Sequence, residues 1–208
     1  MALGVRLAPM SMTLPFSPLP RSRADLRPGT LYAIDGGDSF IYYGQVAPEP
    51  LLGFFRFRSR VVSVAEALSS EIMSRFAVDR SSIGAALRVG KWLGLGRHRL
   101  RAELNEEPIL VQWPVGTLRV DLWKGSAIVG SANVHDPEVQ HLEIIASYDA
   151  IEHVPARLRA DFDQPGDAWM VGGSVLRERL LKQDLAARFP DKPWHNLPAG
   201  WVPASEEA

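Results

Sequence analysis

Residues 88–114 read RVGKWLGLGRHRLRAELNEEPILVQWP. The stretch contains three closely spaced glycines and two tryptophans, namely Gly90, Trp92, Gly94, Gly96 and Trp113. Glycine adopts backbone conformations that other residues avoid, and tryptophan is a very large side chain for a core to accommodate. The stretch lacks the Gly-Lys-Ser/Thr ending of a phosphate-binding loop, and its glycine order differs from the dinucleotide fingerprint. We therefore expect tight turns on a specific backbone path here, and no nucleotide site.

Before this stretch, the sequence predicts three short strands. Residues 30–34 and 39–46 flank a DGGD turn, which is typical of a β-hairpin, and residues 52–58 form the third strand. Gly44 and Gly53 lie inside these strands. Because internal glycines favour bends in a strand, we expect a small curled sheet or partial barrel.

Two helical patterns follow the three strands. Apolar residues recur at helical spacing from residue 64 to residue 76, after a Ser-x-x-Glu capping box that begins at residue 63. Residues 79–87 predict a short second helix, with Asp79 or Ser81 as its N-cap. The first helix is expected to lie across the curled sheet.

The second half of the chain alternates between strand and helix patterns. Predicted strands cover residues 100–104, 109–113, 118–123, 127–129 and 142–148. A short amphipathic segment at 151–162 and a leucine stripe at 175–189 predict two further helices, with Arg177 outside the stripe of the second.

Together these patterns predict an α+β fold with three parts. Residues 1–28 contain five prolines and are expected to be a flexible arm. Residues 29–163 form one α+β domain, a curled and mainly antiparallel, partly barrel-like sheet with flanking helices. Residues 164–208 add a helical extension and an irregular tail that packs on the domain.

Composition excludes several classes of protein. The 208 residues suffice for one core, and 46% are hydrophobic, as in an average globular protein. A net charge of -1 disfavours general attraction to nucleic acid, although the patch Arg97, His98, Arg99 and Arg101 leaves a small nucleic-acid-binding module as an alternative. The absence of cysteine excludes disulfides, thiolate metal sites and a cysteine nucleophile.

Targeting signals are not recognisable in the sequence. Arg6 and Pro9 interrupt the apolar run that a secretory signal would need at the start, and no stretch reaches the roughly 18 apolar residues of a membrane span. We expect a cytoplasmic protein with no membrane partner.

The residue patterns of common catalytic sites are incomplete. Neither Ser126 nor Ser174 lies in the Gly-x-Ser-x-Gly motif of a serine hydrolase. The five histidines are scattered, and the closest approach to a metal site is His141 with Glu143 on one strand face. We therefore assign no catalytic residue, metal ligand or cofactor.

These negative results favour a binding protein. Interface anchors are usually exposed aromatic residues with charges between them, and two such pairs stand out: Trp123 with Asp121, and Phe54 with Arg56. Tyr32, Tyr42 and Tyr43 are interpreted either as core edges with solvated hydroxyls or as partner contacts.

The order and spacing of several short motifs resemble the immunity protein 26 family of bacterial polymorphic toxin systems. These motifs are Tyr43-Gly44-Gln45-Val46, Gly53-Phe54-Phe55, Gly90-x-Trp92 with Gly96, Leu104 to Pro108, Leu142-Glu143, and Val154 with Arg157. The resemblance covers roughly residues 29–163, and the extension from Gln164 has no counterpart in it. Gly94 and Gln45 depart from the family pattern.

The resemblance implies an immunity protein that binds and neutralises a cognate toxin domain. If that toxin is a basic nuclease, Asp35, Asp38, Glu49 and Asp121 are the expected complement to it. The resemblance also indicates that residues 88–114 form a structural crossover between two sheets, with Trp92 as a buried plug. A hydrolase of phosphotriesterase type is a further alternative, because some relatives carry such names.

Overall fold

The computed structural model describes residues 15–48, 51–163 and 172–204. Within these ranges the predicted α+β class is confirmed: ten strands form two mostly antiparallel sheets, of which the first is a curled half-barrel, and four α-helices accompany them. Among the helices of these ranges, none combines the length and the apolar composition that crossing a lipid bilayer requires.

The strands divide between the sheets as follows. Sheet A contains β1 (Thr30–Asp35), β2 (Ile41–Val46), β3 (Leu51–Ser59), β4 (Ile72–Val78), β5 (Trp92–Arg97) and β10 (Ser147–Tyr148). Sheet B contains β6 (Ile109–Gln112), β7 (Arg119–Lys124), β8 (Ala127–Asn133) and β9 (Glu143–Ile144). The spatial order is β10-β4-β3-β2-β1-β5 in sheet A and β8-β7-β6-β9 in sheet B. The helices are α1 (Val64–Ser69), α2 (Arg80–Arg88), α3 (His153–Asp163) and α4 (Val175–Arg188).

The predicted hairpin and third strand are confirmed as β1, β2 and β3. Every residue of β1 and β2 is buried, because sheet A is covered on both faces. Side chains alternate along a strand, so Tyr32 and Ile34 enter a core shared with α2 and α3. Leu31 and Ala33 enter a second core, which α1 closes.

The predicted helix over residues 64–76 is wrong in its second half. Only Val64–Ser69 is helical, and β4 follows after two residues. Ile72 and Phe76 fit helical spacing, but they belong to a strand that pairs with β3, where the Phe76 ring stacks on Phe54 at 4.3 Å. Pairing with a neighbouring strand therefore overrides the local pattern.

The short second helix is confirmed as α2, with Asp79 as its N-cap. The Asp79 carboxylate accepts a hydrogen bond from the backbone N–H of Ser81 at 2.7 Å. Past the end of α2, Gly90 has a φ of 75°, and a Cβ there would lie 2.1 Å from the carbonyl oxygen of Phe16. Phe16 is itself buried, so the described part of the predicted arm packs against the domain at this turn.

The stretch around Trp92 forms a strand as well as a turn. β5 pairs with β1 at the edge of sheet A, and the crossover to sheet B begins only after it. Trp92 is fully buried (0% exposed), and its Nε1–H donates to the carbonyl oxygen of Ala150 at 2.9 Å. The predicted strand over residues 100–104 is wrong, because Ala102–Asn105 forms a 3-10 turn.

The other predicted structural residues take up distinct positions. Gly94 pairs opposite Tyr32, and Gly96 has a φ of 85° near the end of β5. Trp113 follows β6, donates from Nε1 to the carbonyl oxygen of Thr117 at 3.0 Å, and stacks on Trp201 at 5.9 Å. The C-terminal tail therefore packs against sheet B through two tryptophans.

The predicted strand over residues 142–148 is divided between the two sheets. β9 pairs in parallel with β6 of sheet B, and three residues later β10 pairs in parallel with β4 of sheet A. A single extended segment thus joins the sheets. A periodic pattern cannot reveal such a division, because both halves remain extended.

All four tyrosines of the chain belong to the core. Burial raises the pKa of Tyr32, Tyr42 and Tyr148 to about 12, and it also raises the pKa of Tyr43. Their hydroxyls still form hydrogen bonds, as between Tyr43 and Ser59 at 2.7 Å. Of the two interpretations of Tyr32, Tyr42 and Tyr43, the structure favours the core.

Replacement of Trp92 by alanine is expected to lower the free energy of unfolding by about 3–5 kcal/mol, because it removes the largest buried side chain of the core. Trp194 is 71% exposed and provides a matched control, whose replacement by alanine should change stability by no more than about 0.5 kcal/mol. Urea unfolding measures both values. Similar losses for the two variants would contradict the burial of Trp92.

The buried tyrosines predict a loss of stability at alkaline pH. Their pKa values are raised on folding, so their contribution is complete below about pH 10, the ordinary tyrosine pKa, and is lost as the pH rises towards 12. An absorbance titration of phenolate should show almost no ionisation of the native protein near pH 10, where tyrosines of the urea-unfolded chain are half ionised. Identical titration curves for the native and the urea-unfolded protein would contradict the burial of the tyrosines.

Candidate functional site

A cleft of about 610 Å³ lies where sheets A and B meet. Residues of β3 and β4 line it from sheet A, and the starts of β6 and β9, together with the first turn of α4, line it from the other side. Its charged lining consists of Arg56, Arg75, Glu143, Arg157, Asp161 and Arg177.

Arg157 on α3 is the centre of the charged groups and is only 3% exposed. Its Nη1 and Nη2 donate to the two carboxylate oxygens of Glu143 at 2.8 and 2.9 Å. Its Nε donates to both carboxylate oxygens of Asp161 at 2.8 Å, and Nη1 also donates to the hydroxyl of Tyr148 at 3.1 Å. One guanidinium group therefore connects α3 to β9 and to β10.

Arg177 extends the network to α4. Its Nη1 donates to Asp161 and, at 3.4 Å, to the carbonyl oxygen of Gly172. Ser174 caps the helix by accepting from the backbone N–H of Arg177. We call the four side chains Glu143, Arg157, Asp161 and Arg177 the Arg157 network. Its two arginines balance its two carboxylates, and buried charges are tolerated only with such partners.

Burial and ion pairing act in opposite directions on Arg157. Burial lowers its pKa, but the hydrogen bonds that Arg157 donates to Glu143, together with the charges of Glu143 and Asp161, outweigh this effect and raise the pKa overall. Arg157 therefore keeps its positive charge at neutral pH despite its burial. Burial, together with the charge of Glu143, raises the pKa of Tyr148 to about 12, so its hydroxyl stays protonated.

Two polar atoms of β4 at the cleft lack partners. Ser74 Oγ and Arg75 Nε are buried and form no hydrogen bond within the described part of the chain. Arg75 otherwise donates only to the backbone carbonyl oxygens of Glu103 and Glu106, at 3.0 and 2.5 Å. Burial lowers the pKa of Arg75. Unpaired buried polar atoms are rare in folded proteins, where nearly all such atoms are bonded to protein groups or ordered water.

The predicted acidic contacts near the β1–β2 hairpin are held by other residues of the chain. Asp35 is buried and pairs with Nζ of Lys91 at 3.0 Å. Asp38 accepts a hydrogen bond from the hydroxyl of Tyr42 at 2.8 Å. Both carboxylates therefore stabilise the end of the hairpin. Glu49 lies outside the described residues.

The predicted anchor Phe54 is wrong, whereas its neighbour Arg56 is accessible. Phe54 is 0% exposed, because β3 lies inside sheet A with both faces covered, so it cannot contact a partner. Arg56 lies further along the strand, where Nε pairs with Glu71 at 2.7 Å, and it lines the cleft.

The other predicted pair lies on one face of sheet B. Asp121 and Trp123 are alternate residues of β7 and are half-buried. Trp123 is paired with Ile128 of β8, which is 57% exposed, and Arg119 lies 3.3 Å from the Asp121 carboxylate. Trp123 Nε1 is a buried donor without a hydrogen-bond partner in the described ranges.

The structure places the residues behind the two alternative functions as follows. Glu143 is bound to Arg157, and the described residues contain no group of three or more His, Cys, Asp or Glu side chains that could hold a metal ion. Trp92 is buried and cannot stack on a base. Arg101, from the basic patch, donates to the carbonyl oxygens of Leu68 and Ser70.

Sequence analysis missed Asp161 and Arg177. Asp161 lies four residues after Arg157, on the same helical face as Val154 and Leu158, so this spacing was a usable signal. The sequence pattern did not indicate that Arg177 is buried, because Arg177 lies outside the leucine stripe of α4. The structure buries Arg177 together with Val175 and leaves the leucines half-buried.

Comparison of the chain with family models, with curated proteins and with solved structures finds no significant match in any of the three. The resemblance to the immunity protein 26 family therefore stays a prediction from the residues that carry it.

Replacement of Arg157 by glutamine is expected to lower the free energy of unfolding by about 3–5 kcal/mol, because it leaves Glu143 and Asp161 without their main partner. The matched control is the same change at Arg119, whose side chain is 72% exposed although its partner Asp121 is half-buried, and it should cost less than about 1 kcal/mol. Thermal or urea unfolding distinguishes the two, and comparable losses would show that the network contributes little.

Proposed function

We propose that the protein is an immunity protein that binds a cognate bacterial toxin domain in the cytoplasm and blocks it by direct contact, without a cofactor. Two considerations support this proposal. One is the arrangement of the residues that carry the family resemblance, and the other is a surface with the character of a protein interface.

The residues that carry the resemblance contact one another in the core. A Cβ on Gly53 would lie 2.3 Å from the side chain of Leu104, so the glycine permits their close packing. A Cβ on Gly44 would lie 2.9 Å from the ring of Phe54, so these two motifs also pack closely. Glu143 pairs with Arg157, as described above. Motifs distant in sequence thus form one framework, as expected of residues that define a fold.

The outward face of β7 and β8 is the main structural support for the proposal. Trp123 stands between exposed Ile128 and the charged pair of Asp121 and Arg119. Energetically important interface residues are typically aromatic side chains at the centre of a patch, surrounded by polar groups.

This surface is suited to inhibition by occlusion. β8 is the edge strand of sheet B, so the face extends to the border of the sheet. Charged groups around an aromatic anchor steer the encounter and select the partner. Blocking a toxin in this way requires no chemical step, only a complex that covers the toxin's active site.

The test is co-expression with the toxin candidates encoded by neighbouring genes. The protein should restore growth against one of them and form a complex with it in pull-down and calorimetry. Ile128→Asp should abolish the rescue, because it places a charge on the apolar face beside Trp123.

Val202→Asp is the matched control, because Val202 is similarly exposed, at 54%, on the C-terminal tail. It should leave rescue intact, and both variants should unfold at the wild-type temperature. Absence of rescue against every neighbouring candidate would overturn the proposed function. Unchanged rescue by Ile128→Asp would overturn the proposed surface.

A further inference from the structure

The outer edge of β4 is only partly paired. β10 lies beside β4 but pairs with Ala77 and Val78 alone, and none of the described strands pairs with residues 72–76 on that side. An open strand edge presents backbone N–H and C=O groups that are ready to pair with another strand. Part of the edge of sheet A can therefore pair with a further strand.

The cleft follows this open edge. Four consecutive residues of β4, from Ile72 to Arg75, line it. Consecutive residues of a strand project to both of its faces, so this lining places the cavity alongside the backbone of β4. The unpaired Ser74 Oγ and Arg75 Nε lie in the same four residues and add polar groups without partners.

The charge of the cleft favours an acidic occupant. Its lining carries four arginines and two carboxylates. Arg157 and Arg177 are neutralised by those carboxylates, and Arg56 pairs with Glu71. Arg75 is bound by backbone carbonyl oxygens and makes no ion pair within the described ranges. Arginines therefore outnumber carboxylates in the lining, and Arg75, which is attracted by the charge of Glu106 but forms no ion pair with it, lies beside the open strand edge.

We infer that this cleft is a docking slot for an extended, acidic peptide segment, which adds to β4 as a further strand and places a carboxylate near Arg75. Such strand addition obtains affinity from main-chain hydrogen bonds and specificity from alternate side chains. The inference rests on the proposed function for the source of the segment, which is the toxin.

The dimensions fit a short segment of this kind. Five unpaired residues of β4 span roughly 16 Å at about 3.3 Å per residue. The cleft is about 610 Å³ in volume, and its lining also includes apolar side chains, among them Ile72, Leu142 and Leu176, which can receive alternate side chains of the peptide.

The test uses the full chain and a blocked pentapeptide of alternating glutamate and valine. Calorimetry should detect binding, and hydrogen exchange should show new protection of amides within residues 72–76. Two control peptides separate the contribution of charge from that of main-chain hydrogen bonds. Lysine in place of glutamate should abolish binding through charge, and N-methylation of alternate peptide bonds should abolish it through loss of N–H donors.

Arg75→Gln should weaken binding of the acidic peptide about tenfold, because it removes the charge that faces the peptide carboxylate. Arg99→Gln removes an exposed arginine outside the cleft and should change the affinity less than about twofold. Circular dichroism establishes that both variants are folded.

Four results would overturn the inference: no binding of the acidic peptide, equal binding of either control peptide, protection elsewhere in the chain, or self-association that blocks the edge of β4 in sedimentation. The growth-rescue test of the proposed function is a separate measurement. Growth rescue without peptide binding would contradict the peptide-binding cleft but not the proposed function. Peptide binding without growth rescue would contradict a toxin as the source of the peptide but not the peptide-binding cleft.

Discussion

The fold depends on one buried guanidinium group. Arg157 is held by α3 and binds Glu143 of sheet B, Asp161 of its own helix and Tyr148 of sheet A. A buried charge without partners is very costly, so each of these elements must take its place for Arg157 to be accommodated. The Arg157 network thus specifies how the two sheets meet, beyond what apolar packing alone would require.

This requirement also explains the cleft. The segment that leaves sheet B after β9 enters sheet A as β10 and pairs with only the last two residues of β4. The rest of the β4 edge borders the cleft, which side chains of the Arg157 network also line. The same geometry that joins the sheets therefore exposes a strand edge next to arginine side chains.

Local signals predicted the parts of the fold that local interactions determine. The hairpin at residues 30–46 and the Asp79 cap depend on neighbouring residues, and both are confirmed. β4 was predicted as helix, because Ile72 and Phe76 fit helical spacing and only the pairing with β3 identifies the strand. Arg177 was placed on the outside of α4, because its burial depends on Asp161, a partner that no pattern within α4 reveals.

The most direct test of this account is a double-mutant cycle between Glu143 and Arg157. Glu143→Gln, Arg157→Gln and the double variant are compared with the native protein by urea unfolding. The account predicts a coupling free energy of about 2–3 kcal/mol, because Arg157→Gln leaves Glu143 without its charged partner and Glu143→Gln leaves Arg157 with Asp161 as its one carboxylate partner in the network. A coupling below about 0.5 kcal/mol would mean that the two groups act independently, and would contradict the claim that their ion pair holds the sheets together.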